Sequence, residues 1–337
     1  MKLAVKRGQG VLMIIPILRR MLQAVGVILA MTLIVFVGVN VIGNPVDILI
    51  NPDLNQMERD EVVRSLGLDL PLWKQYLTFL RGILEGNFGD SFVYGTSAIK
   101  LILLRLPATL ELAVVALLIA LLIGLPLGLY AGLYPERASS RLIMSGSILG
   151  FSLPSFWFGL MLILLFSVNL GWLPSGGRGE TRTLWGVEWS FLTLDGLQHL
   201  MLPAINLALF KVSMVLRLTR AGVKEIMPLD YIKFARSKGL SEKRVIFVHM
   251  FKNLLVPVVT IIGLEFGTLI AFAVVTESIF AWPGTGRLII ESINLLDRPV
   301  IVAYLMMMVS LFVFLNLLVD ISYTYLDPRI TFGSKDK

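Results

Sequence analysis

Residues 107–133 read PATLELAVVALLIALLIGLPLGLYAGL, twenty-seven residues in which Glu111 is the only charge. As a helix rising 1.5 Å per residue this stretch is about 40 Å long. The hydrocarbon core of a bilayer is about 30 Å thick and needs roughly 20 apolar residues. Five further runs have the same character. Residues 21–43, 142–168 and 299–319 carry no charge, residues 199–216 carry only Lys211, and residues 253–276 carry only Glu265. The expected fold is therefore an all-α membrane protein with six transmembrane helices.

Composition agrees with these runs. Of 337 residues, 56% are hydrophobic and 16% are charged, against about 25% charged in a soluble domain. Mean hydropathy is +0.81. Length alone allows two domains, but the apolar runs favour one helical membrane domain over residues 21–326. With no cysteine, disulfides, cysteine-ligated zinc and thiol catalysis are excluded. His199 and His249 are the only histidines and offer little for a metal centre.

The net charge of +7 invites a nucleic-acid reading until its distribution is examined. Residues 1–20, 134–141, 217–252 and 327–337 together hold 19 Lys/Arg and 6 Asp/Glu. The opposite connections, 44–106, 169–198 and 281–298, are longer and hold 10 Lys/Arg and 13 Asp/Glu. Basic residues collect on the cytoplasmic side. The charge follows membrane topology, not nucleic acid, and both termini are placed in the cytoplasm. Residues 1–20 contain Pro16 and run into Arg19 and Arg20 without a small-residue cleavage site. They are read as a retained segment lying in the interface, and residues 327–337 as a cytoplasmic tail.

The outer connection 44–106 is long enough to hold structure of its own. Trp73, Tyr76, Leu77, Leu80, Ile83 and Leu84 recur at helical spacing after Pro71, which suits a first helical turn. The resulting amphipathic helix is expected on the membrane surface or on the bundle. Trp172, Trp185, Trp189 and Trp282 lie in or beside outer connections, where indole rings favour the headgroup boundary.

The connection 217–252 has nine basic residues against Glu225, Asp230 and Glu242. Asp230-Tyr231-Ile232-Lys233-Phe234-Ala235-Arg236-Ser237-Lys238-Gly239 predicts a short helix ending at glycine. A second helix begins after Leu240, at Ser241 and Glu242. Helix, glycine break, helix is a shape that seats in a groove on another protein. On charge alone it reads rather as a positive-inside loop with no partner.

These residues resemble the cytoplasmic motif of ABC importer permeases: E-A-A, three residues, Gly, nine residues, I-x-L-P. Lys233-Phe234-Ala235 stands at E-A-A, Gly239 at the glycine, and His249-Met250-Phe251-Lys252 at I-x-L-P, with departures at the first Glu and the final Pro. Asp230-Tyr231, Ala235-Arg236 and Lys238-Gly239-Leu240 match the dipeptide and oligopeptide branch, usually written D-Y-x-x-x-A-R-x-K-G-L. Seven more segments agree in order, among them Arg105–Leu112, Pro154–Gly159, Gly171–Gly177, Trp282–Arg287 and Tyr325–Arg329.

The resemblance implies a permease subunit in the bacterial cytoplasmic (inner) membrane. It also implies a second homologous permease, two ATP-binding subunits at the cytoplasmic loop, and an external solute-binding protein at the outer loops. Membrane lipid is its solvent and no nucleic acid is involved. In that family the glycine-containing loop, here Asp230 to Glu242, couples the pore to the ATPase. The chain has no G-x-x-x-x-G-K-[ST] phosphate loop, so ATP and Mg2+ are expected on partner subunits and no cofactor on this chain. The implied cargo is di- or oligopeptides, with nickel complexes or glutathione as alternatives. A proton-coupled secondary transporter is a further reading, but it calls for internal repeats, and none is evident. No catalytic cluster suggests an enzyme.

Lys211 and Glu265 are each costly alone at mid-membrane, by roughly 2.5–3.5 kcal/mol or more on insertion scales. Counting inward from the cytoplasmic ends places both at about 16 Å depth. An ion pair is expected, serving either helix register or the solute pathway. Glu111, Glu277 and Asp320, near span ends, are expected to reach water or headgroups. Pro126, Pro154 and Pro203 are expected to kink their spans, and Met306-Met307-Met308 to serve packing.

Overall fold

The computed structural model describes residues 20–38 and 69–326, with Arg64. The interfacial segment, most of residues 44–68 and the tail lie outside the described residues. Helices are α1 (Arg20–Gly38), α2 (Leu72–Leu84), α3 (Ala98–Leu133), α4 (Ala138–Ser152), α5 (Ser155–Leu162), α6 (Leu194–Ile226), α7 (Asp230–Ser237), α8 (Phe251–Ile279), α9 (Thr285–Asn294) and α10 (Arg298–Leu326). Among the described residues five helices are long and apolar enough to cross a membrane. The bent pair α4–α5 makes a sixth span if it is counted as one. A two-stranded hairpin, β1 (Arg182–Leu184) and β2 (Val187–Trp189), is the small exception to the all-helical expectation. Its turn places Trp185 and Gly186 at φ +53° and +76°, the mirror-image turn that suits strand twist.

The chain divides into two compact units, Met1–Leu104 with Glu291–Leu317, and Arg105–Ile290 with Leu318–Lys337. In the first, α2 lies against α1. Tyr76 and Thr32 share a 2.8 Å hydrogen bond, and Phe36 sits against the Tyr76 and Phe79 rings. Val35, Val302 and Met306 are buried with Phe79, Ile83 and Phe88 around them. Pro71 precedes the first turn of α2, where its carbonyl accepts from Lys74 and Gln75. Buried Asp297 accepts from the Ser91 hydroxyl and from Phe92 N–H.

In the second unit α6 is the central helix. Its apolar window is 61% buried, against 33% for α3. That position explains how the less apolar of the two accommodates Asn206, Lys211, Ser213 and Thr219, all of which face protein. Gly124, Gly128 and Gly132, four residues apart on α3, lie against Val215, Thr219 and Val223 of α6. Absence of side chains on one helix permits this close crossing.

Helix ends differ from the hydropathy boundaries. The second span begins at Ala98, not 107, and passes through Arg105 and Pro107. The fourth runs to Ile226 although apolarity ends at 216. The fifth is helical from Glu242, through π-helical turns at Val245–Met250, into α8. Hydropathy reports where a helix leaves hydrocarbon, whereas backbone hydrogen bonding continues into water wherever a face remains packed. Val223, Val245, Met250 and Leu254 supply that packing. The run expected as the third span is two helical stretches, Ala138–Ser152 and Ser155–Asn169, meeting at 104°. Pro154 has no N–H to donate, and Leu153 before it is extended at φ −74°, ψ 131°. Pro126 and Pro203 remain inside continuous helices.

Candidate functional site

The segment joining α6 to α8 is built on two faces of one short helix. Ile232 and Ala235, three apart on α7, are buried against Val223 of α6 and Val245, Met250, Leu254 and Val258 of the α8 run. Residues at that spacing share a face. The opposite face presents Asp230, Tyr231, Lys233, Phe234, Arg236 and Lys238 to the surface. Phe234 is 59% exposed, with the Lys238 ammonium 4.5 Å from its ring centre.

After Lys238, Gly239 takes φ +75°, a conformation that costs an L side chain roughly 1–2 kcal/mol. A Cβ there would meet nothing within 4 Å, so backbone conformation, not space, selects glycine. The chain reverses there. Leu240 N–H donates to Ala235 O and Gly239 N–H to Arg236 O. Arg236 then reaches across the break to grip Glu242 through two bonds of 2.8 and 3.2 Å. Lys233 pairs with Asp230 at 3.0 Å. Asn253 donates to the Tyr231 hydroxyl at 2.9 Å, tying α7 to the base of α8. The segment is thus fastened at its root to α6 and α8, while its tip carries aromatic and basic groups.

Lys211 and Glu265 sit near the midpoints of α6 and α8, and the structure joins them in an ion pair. Thr268 completes a triangle. It accepts from Lys211 Nζ at 2.8 Å and donates to Glu265 Oε2 at 2.7 Å.

Glu111 and Glu277 do not reach water, contrary to the expectation from their positions near span ends. Both are buried, because connecting segments fold back over them. Glu111 accepts from Arg178 Nη2 at 2.8 Å, Ser190 N–H at 2.7 Å and Phe191 N–H at 2.9 Å, pinning residues 178–191 to α3. Glu277 accepts from the Thr109 hydroxyl at 2.6 Å and from Arg287 N–H at 3.0 Å at the start of α9. Trp282 is not a headgroup anchor. It is fully buried, with Nε1–H donating to Ala108 O at 2.9 Å. Trp172 and Trp185 are exposed. Asp320's side chain lies outside the described residues. Glu111, Glu277 and Trp282 were missed as organising residues because each has a partner 67 to 174 positions away.

Comparison with known proteins adds kinship to this geometry. Residues 124–332 match the model of the binding-protein-dependent transport system inner membrane component. Residues 13–113 match the model of the N-terminal part of such membrane components. The chain is 39% identical to the oligopeptide transport system permease protein AppB of Bacillus subtilis, covering 94% of this chain and 99% of the relative. It is 38% identical to the di/tripeptide transport system permease protein DppB of Pseudomonas aeruginosa, over 93% and 98%. To the dipeptide transport system permease protein DppB of Escherichia coli K12 it is 35% identical, again over 93% and 98%. Its fold resembles an inward-facing structure of the MetNI methionine ABC transporter. The TM-score is 0.53 at 16% identity, covering 67% of this chain and 96% of that one.

Proposed function

The chain belongs to the family of binding-protein-dependent transport system inner membrane components, and on that premise we propose that it is the translocation-pathway subunit of an ATP-driven importer of di- and oligopeptides. It is a multi-pass protein of the bacterial cytoplasmic membrane. The observation that carries the peptide reading is near full-length identity of 35–39% to three permeases named for peptide transport.

The geometry suits the work such a subunit does. ATP and Mg2+ act on two partner ATPase subunits, which must deliver motion through a contact. The α7–Gly239–Glu242 segment offers that contact: Tyr231, Phe234 and Lys238 at the tip enter a partner cleft, and Arg236–Glu242 stiffens the reversal. Because Ile232 and Ala235 are buried on the bases of α6 and α8, displacement of α7 tilts those two helices together. That tilt alternates access to the pathway. A second homologous permease completes the pore, and an external binding protein delivers solute at the outer connections.

The test is uptake of a labelled dipeptide by cells lacking this gene, complemented with wild type or Gly239→Arg at equal membrane abundance. Rescue by wild type and not by the variant supports peptide transport coupled through this segment. Rescue by both removes the segment from coupling. Rescue by neither moves the cargo away from dipeptides.

A further inference from the structure

A cavity of about 620 Å3 opens beside the Lys211–Glu265 pair, within the size range of small-molecule sites. One wall is the bend between α4 and α5, the second is α6 and the third is α8. Phe151 and Phe210, stacked with centroids 4.4 Å apart, and the exposed Phe272 give it an aromatic lining.

Its polar groups are few and unevenly satisfied. The bonds of Glu265 to Lys211 and Thr268 side chains fall on Oε2, leaving Oε1 without a partner among the described residues. Asn206 is 3% exposed. Its Nδ2 donates to Thr276 at 3.0 Å, but its Oδ1 has no hydrogen-bond partner among the described residues. A buried acceptor in that state is uncommon in a folded protein. Lys211 Nζ lines the cavity, and the first backbone N–H of α5 with a backbone acceptor is that of Phe158, to Pro154 O. The amide of Ser155, earlier in the same turn and also on the cavity wall, has no such partner among the described residues. Interrupted spanning helices present unpaired amides to anionic groups in this manner.

The cavity is therefore neutral as a whole, with one cation and one anion in its lining. We propose that it is a transit site for zwitterionic peptides, in which the peptide ammonium takes Glu265 Oε1 and the peptide carboxylate takes Lys211 and the start of α5. Between transits the pair closes on itself, so neither charge is left unpaired within the membrane. A solute lacking either terminal charge gains less, because it would open the pair without supplying both replacements. This inference rests on the peptide-importer reading and assigns its selectivity inside the membrane.

The test is saturable binding of tritiated trialanine to the purified permease–ATPase complex without binding protein, compared with N-acetyl-trialanine, trialanine amide and the doubly capped peptide. Wild type is expected to bind each capped form at least tenfold more weakly. Lys211→Met is expected to become indifferent to C-terminal amidation while still rejecting N-acetylation, and Glu265→Gln to show the reverse. A merely structural pair would not split the two caps in this way. Equal binding of free and doubly capped trialanine by wild type, or no saturable binding, overturns the site even if both variants misfold. Cells that take up dipeptide while the complex fails to discriminate caps overturn the transit site alone. Absence of any peptide uptake overturns the importer reading and the site together.

Discussion

A methyl group added at Gly128 tests the packing of α3 on α6. The new Cβ would lie 2.5 Å from Leu216 O and 2.7 Å from Thr219 Cβ. Ordinary contact starts at 3.4 Å, so the helices must part by about 1 Å at this level, and a gap of that size forfeits up to about half the dispersion energy of each affected atom pair. Overpacking of a filled interior costs about 1–3 kcal/mol. Alanine's higher helix propensity returns up to about 1 kcal/mol, and with that full return Gly128→Ala is up to about 2 kcal/mol less stable than wild type. Gly146, within α4, is the control, because a Cβ there meets nothing within 4 Å. Gly146→Ala is expected to be neutral or stabilising by up to about 1 kcal/mol. Both changes add one methyl to a helical glycine and differ only in their neighbours. Thermal denaturation of the purified full chain in detergent, read by loss of monodisperse protein, should rank Gly128→Ala below wild type and Gly146→Ala at or above it. Equal midpoints for the two variants would refute the close crossing.

Glu111→Ala removes the acceptor of Arg178, Ser190 and Phe191 and strands a largely buried guanidinium, at a cost of about 3–5 kcal/mol. Faster tryptic cleavage at Arg178 and Arg182 in intact spheroplasts is the expected readout, and an unchanged rate counts against the pin. Trp282→Phe deletes one hydrogen bond to Ala108 O and replaces a fully buried indole by a smaller ring. It should cost about 1–3 kcal/mol from the lost bond and the cavity left by the smaller ring, and a midpoint equal to wild type would show that neither contributes. At Gly239, where φ is +75° with open space around the Cβ position, Gly239→Asn should retain more dipeptide uptake than Gly239→Val. Asparagine tolerates the left-handed region and β-branched valine does not. Equal uptake would mean that backbone reversal is not what the position requires.

Elements whose cause is local were legible in the chain itself. Apolar runs as long as a bilayer is thick mark the spans, since solvation by lipid depends on composition along one helix. The reversal at Gly239 was legible because left-handed backbone favours one residue type. Lys211 and Glu265 were matched by depth, since an unpaired charge in hydrocarbon demands a partner at its own level. Whether the two side chains meet depends on how α6 and α8 are rotated about their axes, which depth counting does not contain. The fates of Glu111, Glu277 and Trp282 lay further out of reach. Position near a span end implied water, yet Glu111 is covered by residues 178–191, Trp282 bonds to α3, and Glu277 is closed in by α3 together with the turn that leads to Arg287. Proline at 154 announced a break, but the 104° angle comes from how α4 and α5 each pack on α6. The cavity beside the ion pair is a product of that angle. Its lining comes from three stretches of chain, and only their convergence around α6 brings a paired carboxylate and a helix start to one cavity.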